Sequence, residues 1–396
     1  MTRDDNAQWV GPSDSDRTWA EVDLAAVRHN VGEVRRIVGP NVAVAAVVKA
    51  NGYGHGAAGV ARASLDGGAV TLVVANVAEA VELREAGLQA PIIIIGASLC
   101  ADAEAIVTHD LEASLSPPEM LDAILAEARR QGKRPKVHIM TDLGMRRVGV
   151  NWDEAMALAR RLREAPEVEF AGLASHFPTA DASDTSFSEQ MIAEFGKLVV
   201  EIEALGLKPG IAHLASTPGL LRFRHAHFDM VRAGIVLYGM SAAPTVDGMA
   251  DWRPALAWRA RVVYVRRVAA GTAVGYGHTY VTPADTVMAT LPVGYYDGYP
   301  RSHSNNGEVL VRGQRAPVVG RVSMDYITVD VGHIPGVAVG DVATLVGADG
   351  DECIRAEDVA EQRGTIPHEV TCAIGRRVRR VYVDSGQGAA AGQLRC

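Results

Sequence analysis

The sequence runs to 396 residues, 48% hydrophobic and 22% charged, which is enough apolar surface for a large core in a chain longer than one ordinary domain and shorter than three. Its formal charge of −8 argues against nucleic acid as the main partner, because phosphate backbones are bound by basic faces. Apolar stretches such as Pro91–Ala97 are far too short for a bilayer span, so no membrane partner is expected.

Short apolar runs alternate with helical patterns through the first two-thirds of the chain. The runs are Val42–Val48, Thr71–Val74, Ile92–Ile95, Leu111–Leu115, Lys136–Met140, Phe170–Ser175, Ile211–Ala215 and Met230–Arg232. Amphipathic stretches lie between them, among them Ala78–Ala86, Pro118–Arg130, Asp153–Glu164 and Phe187–Leu205. Continuous apolar strands separated by helices indicate parallel βα units, and a set of eight predicts an α/β fold with an N-terminal (β/α)8 TIM-type barrel over residues 19–250. The texture changes near Ala250–Pro254. Alternating strands follow at Ala260–Arg267, Thr286–Leu291, Gly307–Val311, Arg315–Val322, Tyr326–Val331 and Asp341–Val346, with turn signals at Asn306-Gly307 and Arg312-Gly313. These predict a mostly β C-terminal domain over residues 251–386 and a loose tail over 387–396. Residues 8–18 are either loose or packed on that second domain.

The start, MTRDDNAQW, is acidic and polar and does not fit a secretory signal. Cys100, Cys353, Cys372 and Cys396 lie far apart with no CxxC pair. They read as reduced thiols in structural or exposed positions, with no disulfide frame and no metal site, in keeping with a cytoplasmic setting.

Lys49 ends the first barrel strand and is followed by Asn51-Gly52-Tyr53-Gly54-His55-Gly56. Barrel enzymes place their active sites at that end of the strands, where glycines allow tight turns and Tyr53 offers a hydroxyl. On position alone, a surface lysine in a βα loop is the commoner reading. The wider string changes this. AVVKANGYGHG resembles the pyridoxal-phosphate lysine motif of the alanine racemase family, and the resemblance runs from WAEVDLAAVRHN to GRRVRRVYV. Its further landmarks, in order, are DLGMRRVG, SHFPTAD, HLASTPG, VRAGIVLYG, VGYGHTY, LPVGYYDGYPR and GRVSMDYITVDV.

This resemblance implies a pyridoxal 5'-phosphate enzyme that racemises an amino acid, most simply L-alanine to D-alanine for cell-wall precursors. It implies that Lys49 holds the cofactor as a Schiff base and serves as one catalytic base. Tyr276 matches the second base, which reaches the site from the partner subunit of a homodimer. Arg232 resembles the arginine that bonds the pyridine nitrogen; a guanidinium keeps its own proton, which favours reprotonation at the α-carbon over transamination. His176 and His213 resemble histidines that link Arg232 and the tyrosine by hydrogen bonds. Tyr53, Thr217 and the N–H groups of Gly234 and Ile235 would hold the phosphate. Most of these lie after the seventh and eighth strands, where barrels favour phosphate. Arg376 stands where many members have a tyrosine; it either bonds the phosphate or faces solvent. Arg147 and the Met324 N–H would meet the substrate carboxylate, which suits the arginine fork. Tyr295, Arg301, Arg321 and Asp325 resemble residues of the substrate entrance.

Two positions depart from the family. Met140 stands where many members carry a carbamylated lysine, so Arg147 lacks that anionic neighbour. Tyr296 replaces a small residue and would either narrow the entrance or point into the β core. Three alternatives are weighed: a same-fold racemase of another amino acid (serine, lysine or a specialised-metabolite precursor), a cofactor-homeostasis protein, and a barrel decarboxylase or aldolase. The second domain and Tyr276 argue against the cofactor-homeostasis protein, and the GYGHTY match points away from a decarboxylase or aldolase.

Overall fold

The computed structural model describes residues 12–385, apart from 14, 242 and 247. Strand β1 (Thr18–Asp23) opens the fold and is followed by eight parallel strands: β2 (Ala43–Val47), β3 (Thr71–Val74), β4 (Ile92–Ile94), β5 (Glu112–Leu115), β6 (Lys136–Met140), β7 (Glu169–Ala174), β8 (Ile211–His213) and β9 (Met230–Ala233). Their order is β8-β7-β6-β5-β4-β3-β2-β9. The remaining seam between β8 and β9 carries the backbone bonds Asp229 N–H to Ala212 O (3.1 Å) and Arg232 N–H to Ala215 O (2.9 Å), so the barrel is nearly closed. Every residue of β3 (TLVV) and β4 (III) is buried, because helices cover the outside and side chains fill the inside. Helix starts are set locally: Asn76 and Asn151 each accept the N–H three residues on, and Glu154 returns the bond to Asn151 N–H.

The second domain contains β10 (Leu256–Arg261), β11 (Tyr264–Val268), β12 (Ala273–Val274), β13 (Tyr280–Val281), β14 (Thr286–Leu291), β15 (Glu308–Val311), β16 (Gln314–Pro317), β17 (Ile327–Asp330), β18 (Val342–Asp349), β19 (Glu352–Ile354) and β20 (Arg379–Val383). One sheet has the order β16-β15-β18-β10-β1-β20, with β19 beside β18; a second has β11-β14-β17; β12 and β13 form a hairpin. Two helices, Ala356–Arg363 and Pro367–Cys372, lie within this mostly β unit.

Three expectations change. The run Ala260–Arg267 is not one strand: Val262 N–H bonds Asp341 O while Val263 N–H bonds Thr290 O, so the chain passes from one sheet to the other there. Strand β1 is hydrogen-bonded between β10 and β20, so the segment from Trp19 to Asp23 belongs to the second sheet and not to the barrel. Just ahead of it, Asp16 pairs with Arg379 and Arg17 reaches the Tyr326 hydroxyl, which packs the described part of the lead on the second domain. Cys353 is disulfide-bonded and not a thiol, whereas Cys100 and Cys372 are free. The predicted tail 387–396 lies outside the described residues. Among the described residues, no helix is long and apolar enough to cross a membrane.

Candidate active site

Lys49 follows β2 at the mouth of the barrel. Ala50, Asn51, Gly52 and Tyr53 all have left-handed backbone, with φ between 52° and 60°. Three of the four are not glycine, and that conformation costs each about 1–2 kcal/mol. Side chains hold the turn in place. The Glu79 carboxylate accepts the N–H groups of Ala50 and Ala75, both at 2.8 Å, and Asn51 Oδ1 accepts Ala57 N–H at 3.0 Å. Gly54 is fixed against the second domain: a Cβ there would stand 2.0 Å from Thr371 O, and Arg380 donates to Gly54 O at 2.8 Å. Burial lowers the Lys49 amine from the usual lysine range, and Arg147 and then Arg232 add to the effect, while Glu79 and Cys372 oppose it.

Tyr53 is buried and stacks on Tyr238 with centroids 4.8 Å apart. Its hydroxyl points at Gly234, where a Cβ would lie 3.0 Å from the oxygen and 3.8 Å from Thr217 Oγ1. Gly234 N–H donates to Thr217 Oγ1 at 3.1 Å, and Ile235 follows at the start of a short 3-10 turn. Two hydroxyls and a glycine backbone thus form a cradle that any side chain at 234 would fill.

Arg232 is buried at the floor of the same mouth. One terminal nitrogen donates to His213 Nδ1 (2.9 Å) and His213 O (3.0 Å); the other donates to Ser175 O (2.7 Å), Leu214 O (3.0 Å) and His176 Nδ1 (3.2 Å). Among the described residues its Nε–H has no hydrogen-bond partner, so one donor of a rigidly held guanidinium is available. Burial brings the group down to about 10. His176 is depressed to about 3 by burial and then by Arg232, Arg147 and Lys49, which makes it a neutral imidazole. His213 bonds Arg232 on one side but turns inward on the other, to His138 at 3.2 Å, and not toward a tyrosine.

Arg147 is exposed at this mouth, and among the described residues nothing accepts from its guanidinium; Asp142 accepts its backbone N–H at 3.1 Å. Met140 is buried in β6 and supplies no charge. Arg376 is exposed. His368 and Cys372 come to the site unforeseen, on the helix Pro367–Cys372: the His368 ring lies 5.5 Å from that of Tyr53, and Cys372 is close enough to influence Lys49. A His-Glu-Val-Thr-Cys stretch carries no periodic or spacing signal that would announce this.

The remaining predicted residues sit apart, on one face of the second domain. Tyr276 caps the β12–β13 hairpin and is 73% exposed. The flanking glycines lean on Arg321, since Cβ atoms at 275 and 277 would stand 3.2 and 3.4 Å from its backbone and side-chain nitrogens. Met324 and Tyr295 are also exposed; Tyr295 N–H donates to Ser323 O, next to Met324, whose own carbonyl accepts Tyr296 N–H. Arg301 is exposed nearby in sequence, in a 3-10 turn. Asp325 is engaged by Arg377 at 2.7 Å, which also grips the buried Asp297. Tyr296 points outward over that guanidinium (4.7 Å), not into the β core.

An amine at the end of a barrel strand, an oxyanion cradle after the last two strands and a fixed arginine donor between them define a barrel enzyme of the amino-acid racemase class, an isomerase. The comparisons agree. Family models described as the N-terminal and C-terminal domains of alanine racemase match residues 22–242 and 255–382. The chain belongs to the alanine racemase family. It is 43% identical to an alanine racemase of Symbiobacterium thermophilum, over 92% of this chain and 97% of that one, and 40% identical to one of Halothermothrix orenii, over 92% and 96%. Among solved structures, the alanine racemase of Streptomyces lavendulae superposes with a TM-score of 0.87 at 36% identity, over 95% of this chain and 98% of that one. That of Bartonella henselae, which has covalently bound pyridoxal phosphate, superposes with 0.82 at 27% identity, over 94% and 100%.

Proposed function

We propose that this protein interconverts L- and D-alanine using pyridoxal phosphate held by Lys49, with each site completed by Tyr276 from a second copy of the chain. The observation that carries the proposal is the convergence, at one barrel mouth, of a lysine amine with a depressed pKa, a free Arg232 Nε–H and the Tyr53–Thr217–Gly234 cradle. These residues fit the cofactor: the cradle offers hydroxyl and N–H groups to a phosphate, and Arg232 offers a donor to a ring nitrogen. When bound, pyridoxal phosphate supplies an electron sink that acidifies the α-hydrogen of an amino acid.

The chain's own groups do the rest. Lys49 Nζ removes or returns the α-proton on one face, and its lowered pKa keeps part of it neutral for that task. Tyr276 Oη does the same on the opposite face. Arg147 presents its unpaired fork to the substrate carboxylate, and Met324 N–H adds a donor. Arg232 keeps its proton and His176 stays neutral, so neither competes for the α-proton. Tyr276, Met324 and Tyr295 share an exposed face 44–73% accessible, which a second subunit would cover. The D-alanine formed would supply peptidoglycan precursors in the cytoplasm.

A panel of single enantiomers followed by chiral chromatography tests the proposal. D-alanine should form from L-alanine and the reverse. Equal or better turnover of a bulkier amino acid would displace alanine, and release of carbon dioxide or glycine would point to a decarboxylase or aldolase. Borohydride reduction and peptide mapping should place the pyridoxyl group on Lys49.

A further inference from the structure

A row of buried polar groups runs the length of the barrel interior, beneath the residues already described. Glu112 begins β5, His138 lies in the middle of β6, His213 ends β8 and Arg232 lies in β9. Glu112 Oε2 is 2.8 Å from His138 Nε2, His138 Nδ1 is 3.2 Å from His213 Nε2, and His213 Nδ1 is 2.9 Å from an Arg232 terminal nitrogen. Both imidazoles are fully buried, and Lys136 Nζ lies 3.5 Å from the other carboxylate oxygen.

The fold makes room for this row. A Cβ at Gly172, on β7, would stand 2.3 Å from His138 Nδ1, and the pairing of β6 with β7 shifts register between Val137 and His138. Such an irregularity re-aims a side chain, here so that the ring reaches across to β8.

Donor chemistry fixes the direction of every link. A guanidinium only donates, so His213 Nδ1 accepts and His213 carries its proton on Nε2. That proton goes to His138 Nδ1, which leaves the His138 proton on Nε2, facing the Glu112 carboxylate. A doubly protonated His138 would leave His213 with no proton at all. Burial, then Arg232 and His138, hold His213 neutral. Burial disfavours ionised Glu112, but the His138 hydrogen bond and Lys136 outweigh it and keep the carboxylate charged. No carboxylate touches Arg232 itself among the described residues: its acceptors are imidazole nitrogens and carbonyls.

We propose that Glu112 is a positioning residue for Arg232, acting through His138 and His213 to fix the plane of the guanidinium and to offset its charge at the barrel mouth. This rests on the racemase reading for its kinetic consequence but not for its tautomers. Carboxylates that orient metal-binding imidazoles change activity by about 10–100-fold when removed, and that range sets the scale expected of an imidazole relay.

The test uses the holoenzyme labelled with 15N-histidine, at alkaline pH. In the wild type, His138 and His213 should both be neutral and protonated at Nε2. Glu112→Gln keeps the shape but removes the charge. It should move the His213 nitrogen resonances and lower kcat for alanine about tenfold or more, with KM unchanged because Arg147 is untouched. A doubly protonated His138, or a proton on Nδ1 of either ring, overturns the proposal, and this arm needs no variant to fold. Unchanged His213 resonances together with unchanged kcat in Glu112→Gln also overturn it. If the wild type does not racemise alanine, the functional reading fails while the tautomer result still decides the row.

Discussion

Gly234 and the Tyr53 hydroxyl approach so closely that a methyl group at 234 would stand 3.0 Å from the phenolic oxygen. That contact is tight for a methyl group and worse for a phosphate sharing the same space. Gly234→Ala should therefore fold normally and bind pyridoxal phosphate about tenfold more weakly or worse, roughly 1.4 kcal/mol. Titration of the apoenzyme by absorbance, alongside circular dichroism, checks both halves. Wild-type affinity would remove the cradle from the phosphate site.

Lys49 is depressed first by burial and next by Arg147. A base works in its neutral form, and a lowered pKa makes that form abundant at lower pH. The rising limb of kcat, which reports the substrate complex in which the Lys49 amine is free to act as a base, should thus lie below the ordinary lysine range. Arg147→Ala removes one cation, so the same limb should move to higher pH while KM for alanine rises. A pH profile of both enzymes decides this; a limb that stays in place would assign it to another group.

Glu79 ties Ala50 N–H to Ala75 N–H and so holds a turn that the chain would otherwise leave. Glu79→Ala should cost about 1–3 kcal/mol in urea unfolding, as expected for hydrogen bonds to a charged group. It should also lower kcat, since Lys49 leads into that turn. Unchanged stability would mean that the left-handed segment is held by its packing alone.

Lys49 lies on the barrel and Tyr276 on the exposed face of the second domain, so the two can be supplied by different chains. Lys49→Ala and Tyr276→Phe should each be nearly inactive. When they are mixed and allowed to exchange subunits, activity should return to about a quarter of wild type, since half the dimers are mixed and each holds one complete site. No recovery, despite proven exchange, would place both bases in one chain.

Among the described residues Arg147 has no anionic partner, and Met140 is the buried residue standing where the family resemblance expects a carbamylated lysine. Met140→Lys in bicarbonate should lower KM for alanine several-fold and change its response to chloride. An unchanged KM with and without chloride would separate Met140 from substrate binding.

Much of this was readable in the chain. The apolar runs of the barrel strands are continuous because both faces are buried, and Lys49 stands at the end of one of them, beside a glycine-rich loop. Other features depend on register, which periodicity does not encode. His138 reads as an ordinary core histidine until β5, β6 and β8 bring it to Glu112 and His213. The split after Arg261 is invisible because Ala260–Arg267 alternates well enough for one strand, and only the hydrogen bonds of Val262 and Val263 divide it. The left-handed Ala50, Asn51 and Tyr53 run against local preference and are held by Glu79, a residue from another βα unit. The disulfide at Cys353 had no spacing signal either.

Strand β1 precedes the barrel in the chain, yet its sheet neighbours β10 and β20 are made after the barrel. During synthesis it must wait as an unpaired edge, able to join any strand it meets, while eight βα units close beside it. Completion of the second sheet therefore ties a segment ahead of the barrel to segments beyond it, a long-range closure of the kind that slows folding. A barrel expressed without its C-terminal third would retain that strand with nothing to pair it, and aggregation through this edge is the expected fate of the truncated protein.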